Sequence, residues 1–331
     1  MRAVANVSRL IAWLGVSSMT MWSWSAAPPI RQPDWNSLGV SLIKGREYLA
    51  AGPRRATIDI YRPAAKSDLA ESRQARPAVL FLHGGSWIGG SAAAWRADPA
   101  EMVVRLAQQG MVVFAVDYRL ARPGAPSWPA VVADLREAVR WVRRHGDEFG
   151  IDPGRIVVIG ISAGAHLAGL LGTLAEERGP DGVSSRVQAV VSFYGPSDVA
   201  SLMSSRRLSH EPVRTLLGDG PSRLANLTAE ASPISHVTHD DPPFLLLHGS
   251  DDRWVPMDQS VRMASTLAMV GVPHRLIVIP GARHGFGLTV EYPTNRDLLP
   301  EIVGFLENVW NISSVAAQCR RRCWYGSCSE L

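Results

Sequence analysis

The chain has 331 residues, of which 46% are hydrophobic and 19% are charged. This composition is typical of a globular protein and excludes a disordered, collagen-like or coiled-coil chain. The formal net charge is +4, but its excess comes from the two ends, residues 1–25 and residues 318–331. Because the body between them carries no net charge, we expect no binding to nucleic acid.

The first 25 residues have the pattern of a targeting segment. Arg2 and Arg9 precede an apolar stretch at residues 10–24, and small residues follow. This order is typical of a secretory signal peptide, and the stretch is short for a membrane span, which needs about 20 residues. We therefore expect a secreted or periplasmic protein, contacting a membrane only if the segment stays uncleaved as an anchor. A cytoplasmic or membrane-anchored protein is the alternative.

Two further segments flank the regular part of the chain. Residues 26–55 are rich in Pro and Gly and are predicted to form a loose lead-in. Residues 313–331 hold the three cysteines, Cys319, Cys323 and Cys328, and are predicted to be a disordered tail. These cysteines lack a second Cys or His pair at the spacing of a zinc site, so we expect no metal and no other cofactor.

Between these ends, short apolar runs alternate with longer segments of helical period. The runs contain almost no charge, which suits strands buried on both faces of a parallel sheet. The predicted strands are Ala56–Tyr61, Ala78–His83, Met111–Asp117, Arg155–Gly160, Val187–Tyr194, Phe244–His248 and Arg275–Pro280.

Four segments between the runs and one after the last run have helical patterns. In Pro129–His145, for example, apolar residues recur at a spacing of about 3.6. The other four predicted helices are one from Asp98 to Gly110, Ala163–Glu177, Met257–Val270 and Asn295–Trp310. The alternation predicts an α/β fold, a mostly parallel doubly wound sheet with flanking helices, over residues 56–312. Residues 201–235 have weak periodicity and are predicted to be an insertion or partial lid.

The strongest local motif is G-I-S-A-G, with Ser162 at its centre, between a predicted strand and a predicted helix. A strand–turn–helix with small residues two positions before and after a serine is the context of a nucleophile elbow. The sequence therefore predicts that Ser162 is a nucleophile. Such a hydroxyl needs a base, and the base needs an orienting acid.

Candidates for the base and the acid follow the last two predicted strands. His284 comes after the last strand, with a glycine on its C-terminal side. Asp251 and Asp252 both come after the preceding strand, and Asp198 is a fallback acid after an earlier one. The chain order Ser162, Asp252, His284 is the order that hydrolases with a nucleophile elbow use.

The glycines after the strand at Ala78–His83 are candidates for an oxyanion hole. Gly84 and Gly85 lack side chains, so their N–H groups can approach a developing negative charge closely. The N–H of Ala163, directly after the serine, is the expected third donor.

Taken together, the segments HGGSW (83–87), DYRL (117–120), GISAGAHLAG (160–169), HGSDDRWVP (248–256) and ARHGF (282–286) resemble those of α/β-hydrolase fold serine esterases. The similarity covers about residues 55–310. It is greatest to hormone-sensitive-lipase-like carboxylesterases and to bacterial feruloyl- and acetylxylan-esterase-like (BD-FAE-type) proteins. In that family the acid is the aspartate four residues after the strand-end histidine, which implies Asp252.

The resemblance implies a carboxylesterase that acts through an acyl-enzyme on short- to medium-acyl esters, including acetyl or feruloyl esters of sugars. Two positions depart from the family pattern, Ser86 and Ala165, where glycine is common. His83, His166 and His248 are expected to have structural roles. In DYRL, Asp117 and Arg119 are expected to form an ion pair or to anchor a loop.

Two alternative functions remain at the level of sequence. The same residues could cleave an amide, as in a peptidase or an arylformamidase-like enzyme. A catalytically silent ligand-binding relative is the other alternative, although every expected catalytic residue is present. The sequence does not indicate the oligomeric state or the acyl and alcohol groups of the substrate.

Overall fold

A computed structural model of the chain describes residues 35–51, 54–64, 75–92, 99–204, 210–218, 221–291 and 293–324. The predicted signal peptide at residues 1–25 and the end of the tail, residues 325–331, lie outside these ranges. Within the part of the chain that the structure describes, no helix combines the length and apolar character needed to cross a membrane.

An eight-stranded sheet forms the centre of the fold, with strand order β1-β2-β4-β3-β5-β6-β7-β8. β1 and β2 pair antiparallel, as do β2 and β4, and all other neighbours in this sheet are parallel. The strands are β1 (Val40–Ala51), β2 (Arg54–Pro63), β3 (Arg76–Leu82), β4 (Val112–Val116), β5 (Ile151–Ile161), β6 (Val190–Phe193), β7 (Phe244–Gly249) and β8 (His274–Ile279). β9 (Thr289–Val290) and β10 (Arg296–Asp297) form a separate two-stranded sheet.

Helices cover both faces of the large sheet. They are α1 (Pro99–Gln108), α2 (Ala130–Arg144), α3 (Gly146–Phe149), α4 (Ala163–Thr173), α5 (Val199–Ser204), α6 (Glu211–Leu217), α7 (Pro221–Glu230), α8 (Asp258–Met269) and α9 (Leu299–Trp324), with a 3-10 helix at Pro233–His236. Residues of α2, α4 and α8 belong to one buried apolar cluster, and residues of α1 and α9 belong to the other.

The alternation of side chains along the strands explains the two clusters. In β3, Leu80 and Leu82 join the first cluster, whereas Val79 and Phe81 join the second. Successive side chains of a strand point to opposite faces, so a strand covered on both faces is apolar throughout. The fold is the predicted α/β-hydrolase architecture, and all seven predicted strands are present as β2–β8.

The lead-in was predicted to be loose, but it contains β1. This strand pairs with β2 along its length, with a register shift between Ile43 and Arg46. Gly45 lies in that irregularity at φ +64, and its N–H donates to Asp59 Oδ1 over 2.8 Å. A glycine with positive φ is typical of a β-bulge, and it interrupts the apolar alternation by which strands are recognised.

Two predicted helix ends also differ from the structure. α4 ends at Thr173, before the predicted end at Glu177. α9 continues to Trp324, so the predicted domain end at residue 312 lies inside a helix that includes Cys319 and Cys323. No Gly or Pro occurs between Gly304 and Gly326, so nothing in the local sequence breaks the helical hydrogen bonding. In residues 201–235, the structure has α6, α7, the 3-10 helix and part of α5.

Candidate active site

A sharp turn between β5 and α4 holds Ser162. The serine has φ 52 and ψ −118, a conformation that L-residues rarely adopt. A Cβ on Gly160 would collide with the Gly164 carbonyl, and one on Gly164 would collide with the carbonyls of Leu82 and His83. The two glycines of the motif are therefore required by close backbone contacts, and the turn brings Ser162 to the carboxyl end of the sheet.

The structure brings Ser162, His284 and Asp252 into one chain of contacts. Ser162 Oγ lies 2.9 Å from His284 Nε2, and His284 Nδ1 lies 2.7 Å from Asp252 Oδ2. A carboxylate only accepts, so His284 Nδ1 carries the proton that is donated to Asp252. His284 Nε2 is then free to accept the Ser162 hydroxyl proton. The His284 side chain is 19% exposed, so solvent reaches the site at this imidazole.

The Asp252 carboxylate is fully buried and well supplied with donors. Its Oδ1 accepts the N–H groups of Trp254 and Val255, each over 2.9 Å, and His248 Nε2 lies 3.4 Å from Oδ2. Burial alone would raise the pKa of this carboxyl, but the contacts with His248 and His284 outweigh burial and hold its pKa well below the usual range. Asp252 is therefore charged near neutral pH.

The other two candidate acids lie apart from His284. The Asp251 side chain is exposed and accepts a bond from the Ser250 hydroxyl over 3.2 Å. Asp198 accepts the Ser201 N–H and lies 3.5 Å from Arg262. Of the three aspartates, Asp252 alone contacts the imidazole among the contacts that the structure describes.

The loop after β3 contains the expected oxyanion donors. His83 Nδ1 donates to the Gly84 carbonyl over 2.7 Å, and Gly85 adopts φ +122. Two non-glycine residues follow with positive φ, Ser86 at 55 and Trp87 at 64. The N–H groups of Gly84, Gly85 and Ala163 donate to no acceptor among the described residues. They are therefore available to a negatively charged oxygen.

The packing of Tyr194 against His284 was not anticipated from the sequence. Tyr194 directly follows β6, adopts φ 42, and packs edge-on against His284 with ring centroids 4.6 Å apart. Its hydroxyl donates to the Phe286 carbonyl over 2.9 Å, two residues beyond His284. The signal that could have found it is its place at the carboxyl end of a parallel strand.

The other polar residues that the sequence singled out have structural contacts. Arg119 pairs with Asp134 through bonds of 3.0 and 2.8 Å, while Asp117 accepts from the Ala92 N–H and the Thr57 hydroxyl. The loop is thus anchored by Arg119 and Asp134 together, with Asp117 bonded separately. His248 accepts from Ser260 and donates to Val255, which fixes the loop that carries Asp252. Within the described ranges, no group of three or more His, Cys, Asp or Glu side chains could hold a metal ion.

Comparison with known proteins now adds the family. The family model described as BD-FAE matches residues 58–267, which include the Ser162 turn, the glycine loop and the Asp252 loop. The chain belongs to the BD-FAE family. His284 lies beyond the matched residues, so its place in the site rests on the geometry given above.

Named relatives and solved structures agree with this membership. Esterase LipC of Mycobacterium tuberculosis is 34% identical over 64% of this chain and 53% of the relative. A truncated carbohydrate esterase from gut microbiota superposes with a TM-score of 0.68 and 26% identity over 81% of this chain and 96% of its own. A thermophilic esterase from the Planctomycetes species Thermogutta terrifontis gives 0.62 and 27% over 85% and 94%, and its complexes with propionate and butyrate also match.

The curated relatives are longer proteins. The chain spans about half the length of LipC, and 56% of the Mycobacterium tuberculosis esterase LipQ. The match with solved structures is more complete, because 90% or more of the length of each esterase chain compared above is covered. This chain therefore aligns with only part of these curated relatives.

Proposed function

We propose that this BD-FAE protein is a serine carboxylic-ester hydrolase that works through an acyl-enzyme, with Ser162, His284 and Asp252 as its catalytic residues. The observation that carries the proposal is the chain of contacts from the Ser162 hydroxyl through both nitrogens of His284 to the buried Asp252 carboxylate. The esterase names of its relatives support the same reaction class.

In the first half-reaction, Ser162 Oγ attacks the ester carbonyl carbon while its proton moves to His284 Nε2. The Asp252 carboxylate keeps Nδ1 protonated and stabilises the imidazolium that forms. The carbonyl oxygen becomes an oxyanion, for which the N–H groups of Gly84, Gly85 and Ala163 are the proposed donors. Collapse of the intermediate breaks the ester C–O bond, and His284 returns the proton to the departing alcohol.

In the second half-reaction, water replaces the alcohol. His284 Nε2 takes a proton from the attacking water, and a second tetrahedral intermediate forms with the same oxyanion donors. Its collapse breaks the bond to Ser162 Oγ, which regains the proton from His284 and releases the carboxylic acid. Both steps use only groups of this chain and water.

The proposed substrates are short- to medium-acyl esters, including acetyl or feruloyl esters of sugars. The complexes of the Thermogutta terrifontis esterase with propionate and butyrate support a short acyl group. The position of Trp254 is evidence for a substrate that contains a ring, since this residue is 73% exposed and lies two residues after Asp252. The backbone N–H of Trp254 donates to Asp252 Oδ1, and this bond keeps the exposed indole close to the catalytic residues proposed above. Aromatic faces of this kind offer a large flat apolar surface for stacking.

The first test compares hydrolysis of p-nitrophenyl esters from C2 to C12 by the wild type and by Ser162→Ala. We expect turnover on the short esters and a loss on the order of 10⁶ in kcat in the variant, as for other serine triads. Ser204→Ala, which alters an exposed serine, is the matched control. Hydrolysis that survives in Ser162→Ala contradicts the proposal. Turnover of peptide or formamide substrates in place of esters favours the amidase alternative.

The role of Trp254 has its own test on acetylated and feruloylated sugars. Trp254→Ala should raise KM severalfold for the sugar esters and leave KM for ethyl acetate, which has no ring to stack, unchanged. Met269→Ala is the control, because Met269 is 78% exposed but ends α8 just before β8, at the amino ends of the parallel strands, whereas Trp254 follows the carboxyl end of β7. Equal KM values for wild type and Trp254→Ala on every sugar ester would contradict stacking of the sugar on Trp254.

Export belongs to the same proposal, with residues 1–25 as a cleaved signal peptide. Expression of the full chain in a bacterial host should give a secreted or periplasmic protein whose N-terminus begins near residue 26. Sequencing of that N-terminus, with Arg2 and Arg9 changed to Glu as a control, checks it. A cytoplasmic protein with an intact N-terminus contradicts it.

A further inference from the structure

His166, one helical turn from Ser162, links Trp87 and Ala231 through two hydrogen bonds. The Trp87 indole N–H donates to His166 Nδ1 over 3.1 Å, and His166 Nε2 donates to the Ala231 carbonyl over 2.6 Å. The backbone N–H of His166 also donates to the Ser162 carbonyl over 3.0 Å. These bonds thus join the glycine loop, the first turn of α4 and the junction between α7 and the 3-10 helix.

The partners of His166 fix its protonation state. An indole nitrogen only donates and a carbonyl only accepts, so Nδ1 must be bare and Nε2 must carry the proton. The ring is fully buried, and this burial lowers its pKa to about 4. His166 is therefore neutral near neutral pH, with one acceptor aimed at Trp87. It cannot serve as a second base, because both ring nitrogens are already bonded.

Two hydrogen bonds hold Trp87 in a strained part of the backbone, one at its carbonyl and one at its indole N–H. Ser86 and Trp87 have consecutive positive φ angles, a strained conformation that persists only where the surrounding structure imposes it. The Trp87 carbonyl accepts the Ala121 N–H over 2.9 Å, and its indole is bonded to His166. With the indole 5% exposed, the bond to His166 sets how the ring is seated. Gly84 and Gly85 immediately precede this clamped pair.

We propose that His166 is a positioning residue for the oxyanion hole, which it sets through Trp87 rather than by contact with the substrate. The inference rests on the proposed esterase function, since the N–H groups of Gly84 and Gly85 matter only if an oxyanion forms. By accepting the indole N–H, His166 holds Trp87, and the held Trp87 keeps the strained loop in the shape that presents both donors. A donor displaced by a fraction of an ångström stabilises the ground state little differently but weakens binding of the oxyanion.

Two substitutions of His166 separate its two bonds. In His166→Asn, Oδ1 takes the place of Nδ1 and can still accept from Trp87, while the bond to Ala231 is lost. In His166→Gln, the amide nitrogen takes the place of Nε2 and can still donate to Ala231, while the bond to Trp87 is lost. Trp87→Phe removes the indole N–H and keeps an aromatic ring. Trp310→Phe is the matched control, because its buried Nε1 has no partner among the described residues.

The experiment measures kcat and KM on p-nitrophenyl acetate for the full chain and these variants. Thermal unfolding of each variant gives its folded fraction, by which kcat is corrected. We expect Trp87→Phe and His166→Gln each to lower kcat by at least about tenfold with KM nearly unchanged, since removing one oxyanion donor costs roughly 10²–10³. His166→Asn should recover most of that loss. The double variant Trp87→Phe/His166→Gln should be no slower than either single variant, because both act on one bond.

Three results overturn the positioning role. One is equal kcat loss in His166→Asn and His166→Gln, another is losses that multiply in the double variant, and the third is a fall in melting temperature with kcat per folded molecule unchanged. Failure of the esterase proposal looks different: the wild type then shows no turnover, or Ser162→Ala retains it. That result removes the oxyanion and overturns the positioning role as well.

Discussion

At the scale of single residues, Asp251 and Asp252 share a loop but differ completely in surroundings. Asp252 is buried against His284 and His248, with two backbone N–H groups on its other oxygen. Asp251 is exposed, with the Ser250 hydroxyl as its side-chain partner. The pattern of the loop alone leaves both residues open as the acid, and the family resemblance favours Asp252. The distance between the His284 and Asp252 side chains is what distinguishes them.

Replacement of Asp252 should therefore be far more damaging than replacement of Asp251. Asp252→Asn places a donor against His284 Nδ1, favours the wrong tautomer, and should lower kcat by roughly 10⁴. Asp251→Asn changes the same atoms on an exposed side chain and should keep kcat within about twofold, as surface substitutions usually do. Steady-state kinetics on p-nitrophenyl acetate checks both. A larger loss in Asp251→Asn would reverse the assignment of the acid.

Tyr194 illustrates a contribution that sequence patterns did not reveal. Its position after β6 is visible in the sequence, but its contact with His284 depends on how two loops meet at the end of the sheet. Motifs identify groups that take part in chemistry, whereas a phenol that supports another ring has no fixed spacing from it. The packing had to be seen for the residue to be recognised.

Tyr194→Phe should loosen the His284 loop without removing the ring contact. Loss of the bond to the Phe286 carbonyl should lower the free energy of unfolding by about 1 kcal/mol and should lower kcat severalfold. Urea unfolding and kinetics on p-nitrophenyl acetate measure the two effects. Tyr61→Phe is the control, since it removes the hydroxyl of another buried tyrosine, on β2. Unchanged kcat in Tyr194→Phe would show that the bond to Phe286 does not position the base.

At the scale of elements, the buried strands were predictable because both their faces are covered. Runs such as Val79–Leu82 are apolar throughout, and this signal belongs to the sequence itself. β1 gave no such signal, because Lys44, Gly45 and Arg46 lie in its middle and its order comes from pairing with β2. The far end of α9 was missed for a related reason: its polar composition resembles a tail, although no helix breaker occurs there.

Gly172, in the last turn of α4, and Gly304, in α9, predict opposite effects of the same substitution. A Cβ on Gly172 would lie 2.6 Å from Val190 Cγ2 and 2.8 Å from Phe244 Cζ, so Gly172→Ala should destabilise by about 1–3 kcal/mol through overpacking. A Cβ on Gly304 would meet nothing within 4 Å, so Gly304→Ala should stabilise by about 0.5–1 kcal/mol through helix propensity. Urea unfolding compares them. Stabilisation by Gly172→Ala would contradict the close approach of α4 to the sheet.

At the scale of the whole molecule, buried titratable groups link stability to pH. Folding lowers the pKa of His166 from 6.5 to about 4, and burial also lowers the pKa of His83. The unfolded chain therefore binds more protons than the folded protein in this interval, so stability falls as the pH drops from about 6.5 to 4. The depressed pKa of Asp252 extends the loss of stability below about pH 4. The raised pKa of Asp59, caused mainly by burial, acts just above about pH 4 and opposes the loss there.

The free energy of unfolding should accordingly be lower at pH 4.5 than at pH 7. The shift of His166 alone corresponds to a change on the order of 3 kcal/mol over its full range. His166→Gln removes this titration, so its stability should depend less steeply on pH between 6.5 and 4 even if it is lower overall. Urea titrations at several pH values measure both slopes. Equal slopes in wild type and variant would show that His166 does not titrate in this interval.

The order in which the site residues occur along the chain has a consequence for biosynthesis. Of these residues, Gly84 and Gly85 leave the ribosome first, Ser162 next and His284 last. β7 and β8 must then dock beside β6 before the imidazole can reach the serine. A chain that ends before His284 thus holds Ser162 without the imidazole that contacts it, and we expect such a chain to be inactive. The onset of the proposed ester hydrolysis in a refolding experiment would therefore time the pairing of the last two strands.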